Sequence, residues 1–125
     1  GTIQVTSSTE AIEGTNVTIN GGSLDLYATD DGINASSDVT GADIFIKVTG
    51  GDIKLEVGQG DTDALDSNGD LIVSGGSLDI TAQFAFDFDG TAEYSGGNLT
   101  VNGETVTEIS NSMMMGGGGG RPGGR

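Results

Sequence analysis

Residues 20–26 read NGGSLDL, a Gly-Gly pair followed by alternating polar and apolar residues. The same arrangement follows the Gly-Gly pairs at 50–51, 75–76 and 96–97, in the stretches DIKL, SLDI and NLTV. The opening TIQV at 2–5 fits as a further copy. Because alternation with a period of two is typical of a strand with one buried face, each copy predicts a β-strand.

Aligning the copies places like residues in columns. Two of these columns are apolar, and their members are Ile3, Leu24, Ile53, Leu78 and Leu99 in one and Val5, Leu26, Leu55, Ile80 and Val101 in the other. An antiparallel sandwich with Gly-Gly hairpins is the alternative. In hairpins, however, successive strands run in opposite directions, so residues at the same offset from each Gly-Gly pair would not lie next to one another. In a parallel β-helix equal offsets stack directly, about 4.8 Å apart. The pattern therefore predicts an all-β solenoid of about five coils.

A second strand precedes each Gly-Gly pair, and the two longer repeats carry insertions at 36–43 and 58–61 that we expect to form outward loops. The β-helix is predicted over residues 1–112. Residues 113–125, MMMGGGGGRPGGR, break the pattern and form a low-complexity Gly-rich tail. Both arginines of the chain, Arg121 and Arg125, lie there. We expect contact with an acidic neighbouring subunit to order this tail.

The composition restricts the partners of the chain. Nineteen acidic residues face four basic ones, which gives a formal net charge of −15. Such a negative surface repels nucleic acid and anionic lipid, and no apolar run is long enough to insert into a membrane. The chain has no Cys and no His, so the available metal ligands are oxygens, which suit hard divalent cations.

A third stretch of each coil carries acids in register: EAIEG at 10–14, DGINA at 31–35, DALDS at 63–67 and FAFDF at 84–88. Their side chains form two columns around an apolar centre. The first column contains Glu10, Asp31 and Asp63, and Phe84 replaces its fourth acid; the second contains Glu13, Asn34, Asp66 and Asp87. Asp30 and Asp61 lie just outside the first column.

Stacked carboxylates about 4.8 Å apart repel one another unless a cation lies between them. Calcium takes six to eight oxygens and tolerates irregular geometry, whereas magnesium demands a tight octahedron. One predicted calcium site uses Asp31, Asn34, Asp63 and Asp66, with Asp30 and Asp61 at its rim. A neighbouring site could use Glu10 and Glu13 with Asp31 and Asn34. The alternative is that Asp and Asn favour turns and that the corners are simply solvated.

The stretch SSTEAIEGTNVTINGGSLDLYATDDGINA at 7–35 resembles a bacterial family of calcium-dependent, carbohydrate-binding β-helix proteins associated with cellulose and pectin. The fold of this family is similar to that of pectate lyases. The resemblance covers most of residues 1–103. It implies a right-handed parallel β-helix, display outside a bacterial cell or on its surface, bound calcium, and affinity for acidic or plant-type polysaccharides.

We expect no enzymatic activity. Lyases of the pectate type use an arginine base, and residues 1–120 contain only Lys47 and Lys54 as basic side chains. A ladder of carboxylates that repeats from coil to coil indicates a structural role rather than catalysis by a single pair. Tyr27, in an outward column, is the best single candidate for contact with a sugar.

A different class of function is also open. The sequence offers no clear cap at either end of the solenoid, and open coils expose unpaired strand edges. Stacking of such ends head to tail would not close. The alternative hypothesis is therefore self-association into an extracellular filament, braced by calcium and by the arginine-containing tail.

Overall fold

The computed structural model describes residues 1–60 and 62–111, and it is a parallel β-solenoid. Within these residues all regular secondary structure is β-strand, arranged in three sheets. The predicted fold class is confirmed. None of the described segments is a helix that could cross a membrane.

Sheet 1 contains the strands that follow the Gly-Gly pairs. Its strands are β1 (Thr2–Val5), β4 (Ser23–Ala28), β7 (Asp52–Val57), β10 (Ser77–Thr81), β13 (Asn98–Val101) and β14 (Glu104–Thr105). The first five are parallel, with Leu24 opposite Ile3 and Ile53 and with Leu78 opposite Ile53 and Leu99. Both predicted apolar columns are therefore confirmed.

The other two sheets each contain four parallel strands. Sheet 2 consists of β2 (Ile12–Gly14), β5 (Ile33–Ala35), β8 (Asp63–Ser67) and β11 (Phe84–Phe88). Sheet 3 consists of β3 (Asn16–Ile19), β6 (Phe45–Val48), β9 (Asp70–Val73) and β12 (Ala92–Tyr94). Sheet 1 has the five predicted copies, and the described residues complete about four turns. The right-handed winding stays a prediction.

The core is the axis of the solenoid, filled by one inward row from each strand. In β7 the exposed and buried residues alternate without interruption, as a strand with one face on the core requires. Phe86, Leu65 and Ile33 fill the sheet 2 side of the core and are fully buried. Because no turn buries its own apolar face, the turns stabilise one another by stacking.

Glycine pairs form the corner before sheet 1. In each pair the second residue has a positive φ, namely Gly22, Gly51, Gly76 and Gly97. In the three later pairs the first residue is closely approached by the preceding turn: a Cβ on Gly75 would lie 2.3 Å from the carbonyl oxygen of Thr49. A side chain therefore cannot be accommodated there without a shift of the backbone.

The predicted insertions lie between strands. Residues 36–44 connect β5 to β6, whereas the corresponding connection from β2 to β3 is Thr15 alone. Val39 in this loop is 70% exposed, which fits the expected outward projection. The insertion at 58–61 lies between β7 and β8, and its last residue, Asp61, lies outside the described residues.

The C-terminal end differs from the expected open coil. Asn102 and Gly103 both have positive φ and form the tight turn of a hairpin that brings β14 antiparallel to β13. Val106 is buried behind this hairpin, and its N–H donates to the Leu99 carbonyl at 2.8 Å. The edge of sheet 1 is thus covered at this end. The boundary of the β-helix at 112 and the tail at 113–125 lie outside the described residues.

Candidate functional site

The acidic side chains lie along sheet 2, where register stacks them turn upon turn. Glu13 is opposite Asn34, Asn34 is opposite Asp66, and Asp66 is opposite Asp87. The second predicted column is therefore confirmed as a geometrical feature. Phe84 is opposite Asp63, as expected for the position at which the first column loses its acid.

Backbone hydrogen bonds hold the first column in the same register. The Gly32 carbonyl accepts from the N–H of Ala11 at 2.9 Å, and the Gly32 N–H donates to the Asp63 carbonyl at 2.9 Å. Gly32 allows this close stacking because it has no side chain. A Cβ on it would lie 2.5 Å from the carbonyl oxygen of Ala64 and 2.6 Å from Leu55 Cδ1.

Two triads of carboxylates result. Asp31, Asp63 and Asp66 offer oxygens within 4.8 Å of one another, and so do Glu10, Asp30 and Asp31. We call these the second-turn triad and the first-turn triad. Asp31 belongs to both, so the two triads form one continuous acidic site across three turns of the solenoid.

Asp31 is held in place by the backbone of the next turn. The Asp63 N–H donates to Asp31 Oδ1 at 3.0 Å, so one carboxylate oxygen is fixed by a bond between turns. A hydrogen bond to a charged acceptor is stronger than one between neutral groups. The bond therefore orients the Asp31 side chain toward the other carboxylates of the triads.

The second-turn triad carries unfavourable electrostatics. Partial burial raises the pKa of Asp66 to about 8; its hydrogen bond with Asp31 and the charges of Asp31, Asp63 and Asp87 act in the same direction. Without a cation, protonation of Asp66 relieves the repulsion. A carboxyl group that stays protonated near neutral pH indicates a site built for a positive partner.

The first-turn triad shows the same effect. Burial raises the pKa of Glu10, and the charge of Glu13 and a hydrogen bond with Asp30 add to the shift. Each triad thus contains one carboxyl group whose pKa is raised by burial and by its acidic neighbours. Both triads could hold a metal ion through oxygen ligands alone.

The remaining candidates lie outside the triads. Asn34 Nδ2 donates to Glu13 Oε2 at 3.3 Å, so these two side chains pair with each other. Asp87 is exposed and contributes to the field at Asp66. Asp30, expected at the rim of the second-turn site, lies with Glu10 and Asp31 in the first-turn triad. Asp61 lies outside the described residues. The role of each residue as a metal ligand stays a prediction.

The other predicted functional residues lie elsewhere. Tyr27 is half-buried on the outward face of sheet 1, opposite Glu56 of β7, and is separate from the triads. Its contact with a sugar stays a prediction. The assembly residues Arg121 and Arg125 lie outside the described residues.

Comparison with known proteins identifies the family. Searches of curated proteins and of solved structures found no significant match. In a scan against protein-family models, residues 1–114 match the model described as carbohydrate-binding domain-containing protein. The match covers all three sheets and both triads, so the chain belongs to this carbohydrate-binding domain family.

Proposed function

We propose that the chain is a non-enzymatic, calcium-binding module that binds polysaccharide outside the cell or at the bacterial cell surface. Its family supports the carbohydrate partner. The observation that carries the calcium proposal is the second-turn triad, in which Asp31, Asp63 and Asp66 from two successive turns converge on one point. Repulsion among them is a cost that a bound cation removes.

Calcium suits the ligands that the triads offer. The oxygens of each triad lie within 4.8 Å of one another, so the three carboxylates can reach a single ion. Calcium accepts six to eight oxygen ligands in flexible geometry, whereas magnesium requires a near-ideal octahedron and usually keeps several waters. The remaining coordination positions are available to water and to neighbouring carbonyl groups.

The role of calcium is to join successive turns. Asp31 lies in the corner before β5, whereas Asp63 and Asp66 belong to β8, so a shared ion would connect turns directly. A solenoid has few contacts between distant turns, and each connection between neighbours stabilises the stack. Extracellular calcium-binding modules use sites with dissociation constants of about 0.1–1 mM, and this range fits a surface-bound module.

A non-enzymatic role agrees with the way the carboxylates are arranged along sheet 2. The polar side chains of sheet 2 recur from turn to turn and lie opposite one another, which is the arrangement of a structural ladder. Hydrolysis of a glycosidic bond needs one carboxyl acid and one carboxylate at a defined separation. We expect no new reducing ends when the protein is incubated with polysaccharide.

Calorimetry and thermal unfolding test the calcium proposal. Calcium at about 100 times its dissociation constant should stabilise the protein by about 2.7 kcal/mol. The double variant Asp63→Asn/Asp66→Asn should lose this increment. The matched control is Asp25→Asn/Asp79→Asn, which removes the same charge from the outward face of sheet 1. Equal calcium binding by both variants would exclude the second-turn triad.

Pull-down on insoluble polysaccharides tests the carbohydrate proposal. The calcium-loaded protein should be retained on at least one neutral or acidic matrix, and chelator should reduce the retained fraction. Absence of binding to every matrix, with calcium present and the fold intact by circular dichroism, would contradict this part of the proposal.

Filament formation stays a prediction without a specific observation in its favour. Ile3 in the edge strand β1 is 49% exposed, but the opposite edge of sheet 1 is covered by β14. Head-to-tail stacking would pair two strand edges, and the two-residue, antiparallel β14 does not continue the parallel register at this end of sheet 1.

A further inference from the structure

The three sheets end differently at the C-terminal end of the solenoid. Sheet 1 is extended by β14, and in sheet 2 the Phe88 N–H donates to Asn111 Oδ1 at 2.7 Å. In sheet 3, β12 (Ala92–Tyr94) is the last strand, and no described strand pairs with its outer edge. The space that a further turn of sheet 3 would occupy is therefore not filled by a described strand.

A cleft of about 350 Å³ lies at this place. One wall is formed by Tyr94 and the Gly96–Gly97 corner, and the other by Thr105, Val106 and Thr107 beyond the terminal hairpin. The cleft is shallow and largely open to solvent. The cleft is remote in sequence from both carboxylate triads.

Tyr94 gives the cleft an aromatic wall. In the earlier turns the same column contains Ile19, Val48 and Val73, which are buried in the core. Tyr94 packs on this core yet remains half-buried and lines the cleft. Its hydroxyl donates to the Gly97 carbonyl at 3.1 Å, so the orientation of the ring is fixed.

Polar groups surround this ring. Ser95, Asn98, Thr105 and Thr107 are exposed and line the cleft. Within the part of the chain that the structure describes, no hydrogen bond involves their side chains. A fixed aromatic face beside free hydroxyl and amide groups is the combination that a sugar ring requires: C–H groups pack on the ring and hydroxyls bond to the rim.

We propose that this cleft, the Tyr94 cleft, binds one hexose unit of a neutral polysaccharide. The proposal rests on the proposed carbohydrate-binding function and assigns it a site away from the triads. No lining residue is charged, whereas the exposed Glu93, Glu104 and Glu108 lie next to it in sequence. These carboxylates repel an anionic uronate, so the cleft selects uncharged sugars.

Two-dimensional ¹H–¹⁵N NMR of the full chain with calcium tests the site directly. The probes are neutral hexasaccharides of glucose, mannose and galactose, with hexagalacturonate as the charged counterpart. At least one neutral probe should shift amide signals within residues 94–107, and hexagalacturonate should not. Tyr94→Ala should weaken binding of the neutral probe by tenfold or more, and Tyr94→Phe should retain most of it because the ring remains.

Two further variants separate binding from folding. Thr105→Ala/Thr107→Ala removes two exposed hydroxyls and should weaken binding several-fold with an unchanged circular dichroism spectrum. Phe45→Ala, which removes a half-buried aromatic side chain from β6 of sheet 3, is the matched aromatic control and should bind the neutral probe as the parent does.

Each contrary outcome has a distinct meaning. Carbohydrate binding that is unchanged in Tyr94→Ala, or shifts confined to sheet 1 or sheet 2, would overturn the cleft and leave the proposed function standing. Failure of the parent to bind any of these probes or any polysaccharide matrix would overturn both. Shifts of residues 94–107 on deletion of 113–125, without sugar, would show that the tail occupies the cleft and would also overturn the proposal.

Discussion

Asp31 is the residue on which the acidic site depends, because it belongs to both triads and accepts a hydrogen bond from the next turn. Burial and acidic neighbours raise the pKa of Asp66 to about 8, and they also raise the pKa of Glu10. A proton and a calcium ion thus compete for the same oxygens. Stability of the protein should therefore depend on pH in opposite ways with and without calcium.

Without calcium, we expect the free energy of unfolding to fall as pH rises from about 4 to about 8. Asp66 has a pKa of about 8 in the folded chain, against about 3.9 for an unfolded aspartate. In this window the folded state binds the additional proton, so raising the pH favours the unfolded state. Urea unfolding of chelator-treated protein at several pH values measures the slope. Stability that rises with pH between 5 and 8, measured with chelator present, would contradict the assignment.

Asp66→Asn should reduce this pH dependence. The amide can still donate to Asp31, and it needs no proton from solvent to do so. At pH 8 without calcium the variant should be more stable than the parent, whereas with excess calcium the order should reverse. Thermal unfolding in the four conditions checks both signs. Asp79→Asn, on the outward face of sheet 1, should leave the pH dependence unchanged.

Register explains which parts of the site could be predicted from the sequence. The stacking of Asp31 with Asp63 follows from equal offsets in the repeat, because parallel pairing brings equal offsets together. Register also places Asn34 next to Glu13. It does not determine their hydrogen bond, because outward side chains can adopt several rotamers. Asp30 lies outside the aligned columns, so register does not determine that it comes close to Glu10.

At the scale of the element, the Gly-Gly corner determines how closely turns can stack. The first glycine of each later pair faces a carbonyl group of the turn before it: Cβ distances would be 2.5 Å at Gly50, 2.3 Å at Gly75 and 2.5 Å at Gly96. Gly21 occupies the same position in the first copy but has nothing within 4 Å. The repeat alone shows four equivalent pairs, whereas the structure distinguishes the first pair from the others.

This difference gives a matched pair of substitutions. Gly75→Ala should destabilise the protein by about 1–3 kcal/mol, because its methyl group would overlap the Thr49 carbonyl. Gly21→Ala makes the same chemical change without a contact and should change stability by less than about 0.5 kcal/mol. Urea unfolding of both variants measures the difference. Equal losses would mean that the glycines matter through the unfolded chain and not through the spacing of turns.

At the scale of the whole molecule, the solenoid could be predicted because every copy of the repeat contains the same alternation of polar and apolar residues. The terminal hairpin was missed because it occurs once and interrupts the repeat. Its local signal was present in Asn102-Gly103, a dipeptide that favours a two-residue turn. The Tyr94 cleft has no signal in the repeat, since Tyr94 occupies an ordinary inward position and is accessible only because its strand is the last described one of sheet 3.

In a stack of turns, a substitution should destabilise mainly the turns beside it, because each turn contacts little besides its neighbours. In native-state hydrogen exchange, amides of β7 and β10 should exchange most slowly, because they pair on both sides within sheet 1 and lie in its middle.

Val106→Ala removes about two methylene equivalents from a buried site and should reduce the free energy of unfolding by about 1.6 kcal/mol. Its effect should be largest at β13, whose Leu99 carbonyl accepts the Val106 N–H.

Val5→Ala is the matched change at the opposite end, since Val5 of β1 packs against the same core. It should reduce the protection of β4, which pairs with β1, and should leave β13 almost unchanged. The two variants would then show complementary gradients along sheet 1. A uniform loss of protection in both would instead mean that the turns unfold as a single cooperative unit, because a defect at one end would then be transmitted to every turn.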